Sequence, residues 1–168
     1  FGLVGSELFL RDRRDYAASL REGGSAYLQM LDALLQISTR LDQAVGPMKL
    51  VLGHNVLQAA NILDDDTRLW MLDWEYGGFN SPLFDLAGLA SNNELSEVQE
   101  CAMLESYFEI PLTQQTAHQY HAMKCASLLR ETMWSMVSEI HSEIDFDYAE
   151  YTEKNLKRFK SALSHSIP

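Results

Sequence analysis

The chain has 168 residues, 46% of them hydrophobic and 22% charged, a length and balance that suit one soluble domain and exclude wholesale disorder. A formal net charge of −11 argues against a nucleic-acid binder, which needs a basic footprint, and against docking on an anionic membrane. The longest apolar runs are short, such as Leu50 to Leu52. No segment is long enough to span a bilayer, and no signal-peptide order stands near the start.

The chain opens at Phe1 rather than methionine, which reads as a start that was cut away, removed in cloning or left undescribed. Cys101 and Cys125 form no CxxC pair and have no histidine cluster at metal spacing. They read as reduced, largely buried residues of a cytoplasmic protein.

In chain order the pattern is mostly helical. From Ala26 to Val45, the residues Tyr27, Leu28, Leu31, Leu34, Leu35 and Leu41 recur at three- and four-residue steps and predict one apolar helical face. Ser25 is the expected N-cap, and Gly46-Pro47 stops the helix. Lys49 to Leu52 suits a short strand. Asn61 to Leu63 and Arg68 to Leu72 suit a strand pair joined by Asp64-Asp65-Asp66-Thr67, a turn-rich segment of hairpin length. After Pro82, helices are expected over Leu83–Ser91, Ser96–Phe108, Thr116–His141 and Asp147–Leu163, with Thr113 and Asp147 as caps. No repeat, linker or low-complexity tract interrupts them. The expected fold is mainly α with a small β-sheet or hairpin (α+β), in one lobe over residues 1–168.

The informative segment runs from Leu52 to Asn92. It offers a strand, a loop carrying His54 and Asn61, a hairpin, then Asp73-Trp74-Glu75 at a strand end. Such an arrangement suits phosphoryl transfer. Mg²⁺ takes oxygen ligands and is usually held by one or two carboxylates plus phosphate oxygens. An Asn amide and an Asp carboxylate on neighbouring loops can bridge the metal to phosphates, where developing charge must be neutralised.

This segment resembles the H-x-D-x-x-x-x-N catalytic loop and the metal-binding D-x-E of the aminoglycoside-phosphotransferase and protein-kinase-like superfamily. It is most similar to choline/ethanolamine kinases, with Asn61-Ile62-Leu63, Glu75-Tyr76 and the run Asn80 to Asp85 matching that family's motifs. A second stretch, Ala126-Ser127, Met133-Trp134-Ser135 and Ile144-Asp145-Phe146 with Tyr148 and Tyr151, resembles the family's choline-pocket helix and the turn after it. The motif-bearing part covers about 50–163.

The resemblance implies a protein-kinase-like carboxy-terminal lobe, with ATP-dependent phosphorylation of a small amino alcohol as family chemistry, choline or ethanolamine as partner, and Mg²⁺ and ATP as cofactors. His54 would shape the catalytic loop, Asn61 and Asp73 would hold Mg²⁺ with Glu75 in support, and Asp85 would brace the loop. Trp134 would wall a quaternary-ammonium pocket, because a trimethylammonium group is attracted to an indole face. Tyr76, Tyr148 and Tyr151 are further candidates for the same cage.

Three departures from the family pattern stand out. Val56 occupies the catalytic-base position and can neither accept a proton nor orient a hydroxyl, and such a base is typically worth ~10²–10⁴ in rate. Glu131 stands where the pocket helix often carries a second Trp, although a carboxylate still attracts a cation. No Gly-rich phosphate loop and no strand-borne Lys precede Tyr16, so the amino-terminal lobe is absent from the sequence. The chain is therefore expected to be inactive in this form, and the alternative expectation is a non-catalytic cation-binding pseudokinase or interaction module.

Blander readings accompany these. Trp134 shares an apolar helical face with Met133 and Val137 and reads equally well as core. His118, His121 and His141 make no metal site, and Asp64 to Asp66 form a solvated turn rather than a calcium loop, because the closing Glu is absent.

Overall fold

The computed structural model describes residues 7–164, and Phe1, on which the cut start was read, lies outside them. Six α-helices and four short strands run in the order α1 (Glu7–Glu22), α2 (Leu28–Val45), β1 (Val51–Gly53), β2 (Ile62–Asp64), β3 (Leu69–Met71), β4 (Gly78–Asn80), α3 (Pro82–Asn92), α4 (Glu97–Phe108), α5 (Gln114–His141) and α6 (Tyr148–Ser164). The α+β expectation is met. No helix of the described residues is long and apolar enough to cross a membrane.

Helix α5 is the axis of the lobe. Its 28 residues reach about 42 Å at 1.5 Å per residue, and α1, α2, α3 and α6 all pack on it. It therefore buries residues on several faces, among them Tyr120, Met123, Leu129, Met133 and Met136. Two polar residues inside the helix are also buried, and each is satisfied locally. Thr132 donates to the Leu128 carbonyl at 2.7 Å and Ser135 to the Thr132 carbonyl at 2.8 Å. Leu20, Leu31, Leu41, Leu83, Leu104 and Phe159 close around it, each below 2% exposed. A fully buried side chain of this size is worth roughly 1.5–3 kcal/mol.

The helix ends follow the sequence closely. Ser81 accepts the Leu83 N–H ahead of Pro82, Ser96 and Gln99 form a reciprocal capping box, and Thr113 accepts the Thr116 N–H at 3.1 Å. The expected Asp147 cap is also present, accepting the Glu150 N–H at 2.9 Å. Ser25 is a correction. Its hydroxyl accepts the Tyr27 N–H at 3.2 Å, a tight local turn, and α2 starts at Leu28 without a side-chain cap.

The strands form two separate antiparallel pairs. In one, β1 pairs with β4 (Val51 with Asn80, Gly53 with Gly78), and in the other β2 pairs with β3 (Ile62 with Met71, Asp64 with Leu69). The β2–β3 turn is the expected solvated one. Asp65 accepts the Thr67 hydroxyl, the Trp70 indole N–H at 2.6 Å and the N–H groups of Thr67 and Arg68, each at 3.0 Å, which together hold its carboxyl far below the usual carboxylate range. The structure adds α1 and β4, neither of which the sequence pattern revealed, and shifts the first strand to Val51–Gly53.

Candidate functional site

The loop after β1 is built around one carboxylate. Asp85, in the first turn of α3, accepts the backbone N–H of His54 at 2.6 Å and of Asn55 at 2.7 Å. Charge-assisted bonds of this kind are about twice as strong as neutral ones. Gly53 is required beside them, because a Cβ there would sit 2.9 Å from Asp85 Oδ2. Asn55 takes φ +68°, a conformation that Asn tolerates better than most residues. Its side chain donates to the Tyr76 carbonyl at 2.8 Å and accepts from buried Asn80 at 2.8 Å. Those bonds lash the loop to β4 and to the Asp73–Tyr76 segment.

His54 faces inward. It is 1% exposed, its Nε2–H donates to the Leu72 carbonyl at 2.6 Å, and its ring tilts against Trp74 at 4.9 Å between centroids. Nδ1 has no partner. The ring is packed beneath the loop and does not line the open pocket described below.

Asn61 ends a 3₁₀ turn, Ala59–Asn61, and is buried. Its amide N–H donates to the Val56 carbonyl at 3.1 Å, which leaves the amide oxygen as the acceptor on offer. Its backbone carbonyl accepts the Leu72 N–H at 2.8 Å, so Asp73 follows directly on a residue bonded to Asn61. Asp73 adopts φ +62°, the kind of strained conformation that concentrates at functional sites. Asp73 and Glu75 are both exposed. Among the described residues no three His, Cys, Asp or Glu side chains gather at metal spacing. An amide oxygen with one or two carboxylates is hard, oxygen-only and incomplete. That donor set suits Mg²⁺, which keeps waters and phosphate oxygens in its shell rather than entering a closed protein cage.

Next to Val56 opens a cleft of about 560 Å³ lined by four aromatic rings from the α5–α6 corner, Trp134, Phe146, Tyr148 and Tyr151, together with Tyr16, Tyr76, Gln58, Glu131 and Asp145. The rings meet edge-on. Trp134 lies 5.9 Å from Tyr148 and 6.4 Å from Tyr151, and Phe146 lies 4.9 Å from Tyr148 and 5.7 Å from Tyr151. Trp134 is 38% exposed, so it is a pocket wall and not simply core. Tyr151 donates its hydroxyl to Glu131 Oε1 at 2.8 Å, and Ser142 donates to the Tyr148 hydroxyl at 3.1 Å.

Arg130 sits behind Glu131, pinned to Asp12 of α1 by a 2.6 Å ion pair. Tyr16 lines the same cleft. Burial, with help from Asp12, Glu131 and Tyr76 and against Arg130, pushes the Tyr16 phenol up to about 12. Burial would lower Arg130, but Tyr16, Asp12 and Glu131 outweigh it and raise its pKa.

The structure thus brings Val56, Glu131, Trp134, Tyr76, Tyr148 and Tyr151 into one pocket. Asn61, Asp73 and Glu75 fall on the neighbouring hairpin base, and Asp85 and His54 lie beneath. Sequence reasoning missed Tyr16, Gln58, Arg130 and the role of Asn55. Gln58 and Asn55 lie inside the matched loop and could have been found there. Tyr16 could not, because its helix was not recognised.

Beyond the site, the apolar side chains of Leu52, Leu63, Leu69, Met71, Leu72 and Phe79 are exposed on the strands and the segment after β3, each at 46% or more.

No protein-family model matches the chain. It is 32% identical over 159 residues to Protein LicA of Haemophilus influenzae (strain ATCC 51907 / DSM 11121 / KW20 / Rd), which covers 86% of this chain and 55% of that protein. A choline/ethanolamine kinase family protein from Mesorhizobium loti superposes with a TM-score of 0.84 at 22% identity, over 92% of this chain and 54% of that one. Choline kinase LicA from Streptococcus pneumoniae superposes with a TM-score of 0.68 at 22% identity, over 95% and 57%. The chain spans about half the length of the curated relatives it matches.

Proposed function

We propose that this chain, 32% identical to Protein LicA of Haemophilus influenzae over 86% of its own length, is a member of the choline/ethanolamine kinase family, and that residues 1–168 are the carboxy-terminal, substrate-binding lobe of an ATP-dependent amino-alcohol kinase. The observation that carries this reading is the cleft at Val56, where four aromatic rings and the carboxylates of Glu131 and Asp145 converge. A cationic head group gains from both features. Ring faces attract it through their quadrupoles, and the acids add Coulomb attraction. Choline fits such a cage better than a neutral alcohol does.

Asn61 and Asp73, with Glu75 in support, would hold Mg²⁺ beside this pocket. Bound there, the ion would neutralise charge on the transferring phosphoryl group. Asp85 sets the loop that separates the two halves of the site. The exposed apolar side chains of the two strand pairs, among them Leu52, Leu69, Met71 and Phe79, support a further part of the protein packing against them and bringing phosphate-binding elements. Alone, the lobe binds the amino alcohol without turning it over.

Coupled ADP release with choline, ethanolamine and ATP tests the second part of this reading. The isolated chain is expected to show none above background, and turnover near a typical enzyme's ~1–10³ s⁻¹ would contradict it. The binding half of the reading is tested separately by choline titration.

A further inference from the structure

Val56 leaves the catalytic loop without a proton acceptor, yet a carboxylate borders the same cleft. Behind the aromatic cleft lies a second, smaller cavity of about 40 Å³, lined among others by Asn55, Asp85, Ser91 and Arg158. Val56, Arg130 and Glu131 line both cavities and form the partition between them. Glu131 therefore borders the same two cavities as the valine. The cleft's other carboxylate, Asp145, is exposed and lines only the aromatic side.

We propose that Glu131 is the proton-accepting carboxylate of this site, taking the role that Val56 cannot fill in the full-length protein. The inference rests on the amino-alcohol kinase reading above.

Three structural features support it. Glu131 is held rather than free to swing, because the Tyr151 hydroxyl donates to Oε1 at 2.8 Å and leaves Oε2 for a substrate hydroxyl. Arg130, which lines both cavities with it, is itself anchored to Asp12 of α1. The inner cavity is polar and large enough for a water, and buried Ser91 Oγ, which has no hydrogen-bond partner, lines it. A proton taken up by Glu131 thus has a polar neighbour on the side away from the substrate.

The substrate hydroxyl oxygen attacks the γ-phosphorus of a nucleoside triphosphate and forms the new P–O bond. The bond from that phosphorus to the β–γ bridging oxygen breaks, and its electron pair leaves with the nucleoside diphosphate. The hydroxyl proton passes to Glu131 Oε2.

The test uses the full-length protein that contains this chain, with ATP, Mg²⁺ and choline. Glu131→Gln keeps an acceptor for Tyr151 and nearly the same shape, so folding, checked by thermal melting, should be retained. The expected result is a fall in kcat of ~10² or more with choline affinity, followed by tryptophan fluorescence, changed less than about tenfold. Adding Val56→Asp to Glu131→Gln should recover at least about tenfold of the lost kcat, because it returns a carboxylate to the same partition. An unchanged kcat overturns the proposal, as does a loss confined to KM, which would make Glu131 a cation partner only. Wild-type protein that binds choline but never turns over also overturns it, while leaving the pocket reading intact. Absence of choline binding in the wild type removes both.

Discussion

The Tyr151 hydroxyl donates to Glu131 Oε1 across 2.8 Å and so ties α6 to the pocket face of α5. Burial, and after it the Glu131 charge, raises the Tyr151 pKa, so the phenol stays a donor throughout the physiological range. Hydrogen bonds to charged groups are worth about 1.5–3 kcal/mol, less where water competes, and both partners here are only half-buried. Tyr151→Phe is expected to cost about 1 kcal/mol in denaturant unfolding and to weaken choline binding while keeping the ring. Unchanged stability together with unchanged affinity would show that the bond organises nothing.

A second polar cluster lies far from the pocket. Glu100 is 4% exposed, accepts the Tyr120 hydroxyl at 2.9 Å and pairs with Lys124, joining α4 to α5. Breaking a buried ion pair by removing one member typically costs about 3–5 kcal/mol, because the other charge stays buried. Lys124 is partly exposed, so Glu100→Ala is expected to lose about 2–3 kcal/mol in urea unfolding, and a double change with Lys124→Met should recover part of it. Equal stability of the single variant and wild type would contradict this.

Much of this architecture was legible in the residues. The apolar spacing of Leu31, Leu34 and Leu41 gave α2, and Ser96, Thr113 and Asp147 marked helix starts, because capping is a local interaction written in adjacent residues. Helix α1 was not legible. Half of its sixteen residues are charged, and Ala17 and Leu20 are its fully buried hydrophobics among the described side chains, so its apolar stripe is too thin to stand out. Strand β4 has three residues and exists only through pairing with β1, about twenty-five positions earlier, which no local period can signal. In the site, motif spacing placed Asp85, Asn61 and Trp134, but the juxtaposition of Val56 with Glu131 is tertiary. It arises where the β1 loop meets α5.

The loop brace has its own signature. Asp85 accepts two backbone N–H groups that no strand partner would otherwise satisfy. Asp85→Ala is expected to cost about 2–4 kcal/mol and to speed amide hydrogen exchange at His54 and Asn55 specifically. Asp85→Asn should fall between, since one acceptor oxygen remains. Exchange that is unchanged at those two amides would show the loop is held by other means.

Alkaline pH offers a further check on the pocket edge. Tyr16 has its pKa raised to about 12, above the ordinary value of 10.0. A group raised in the folded state contributes stability that is fully present below its unfolded pKa and lost as pH climbs through the folded one. Stability should therefore fall between about pH 10 and 12. Tyr16→Phe should lose less over that window, after comparison at neutral pH. Identical alkaline profiles would mean that Tyr16 is not desolvated at the cleft.

The most direct measurement is a choline titration of this chain, followed by tryptophan fluorescence. Cation–π and Coulomb contributions of ~1–2 kcal/mol each predict a dissociation constant in the millimolar range. Trp70 and Trp74 also emit, so Trp134→Ala assigns the signal. The cationic pocket predicts a saturable change in wild type that is lost in Trp134→Ala, with affinity reduced about tenfold. The same change in both proteins, or none in either, would contradict it.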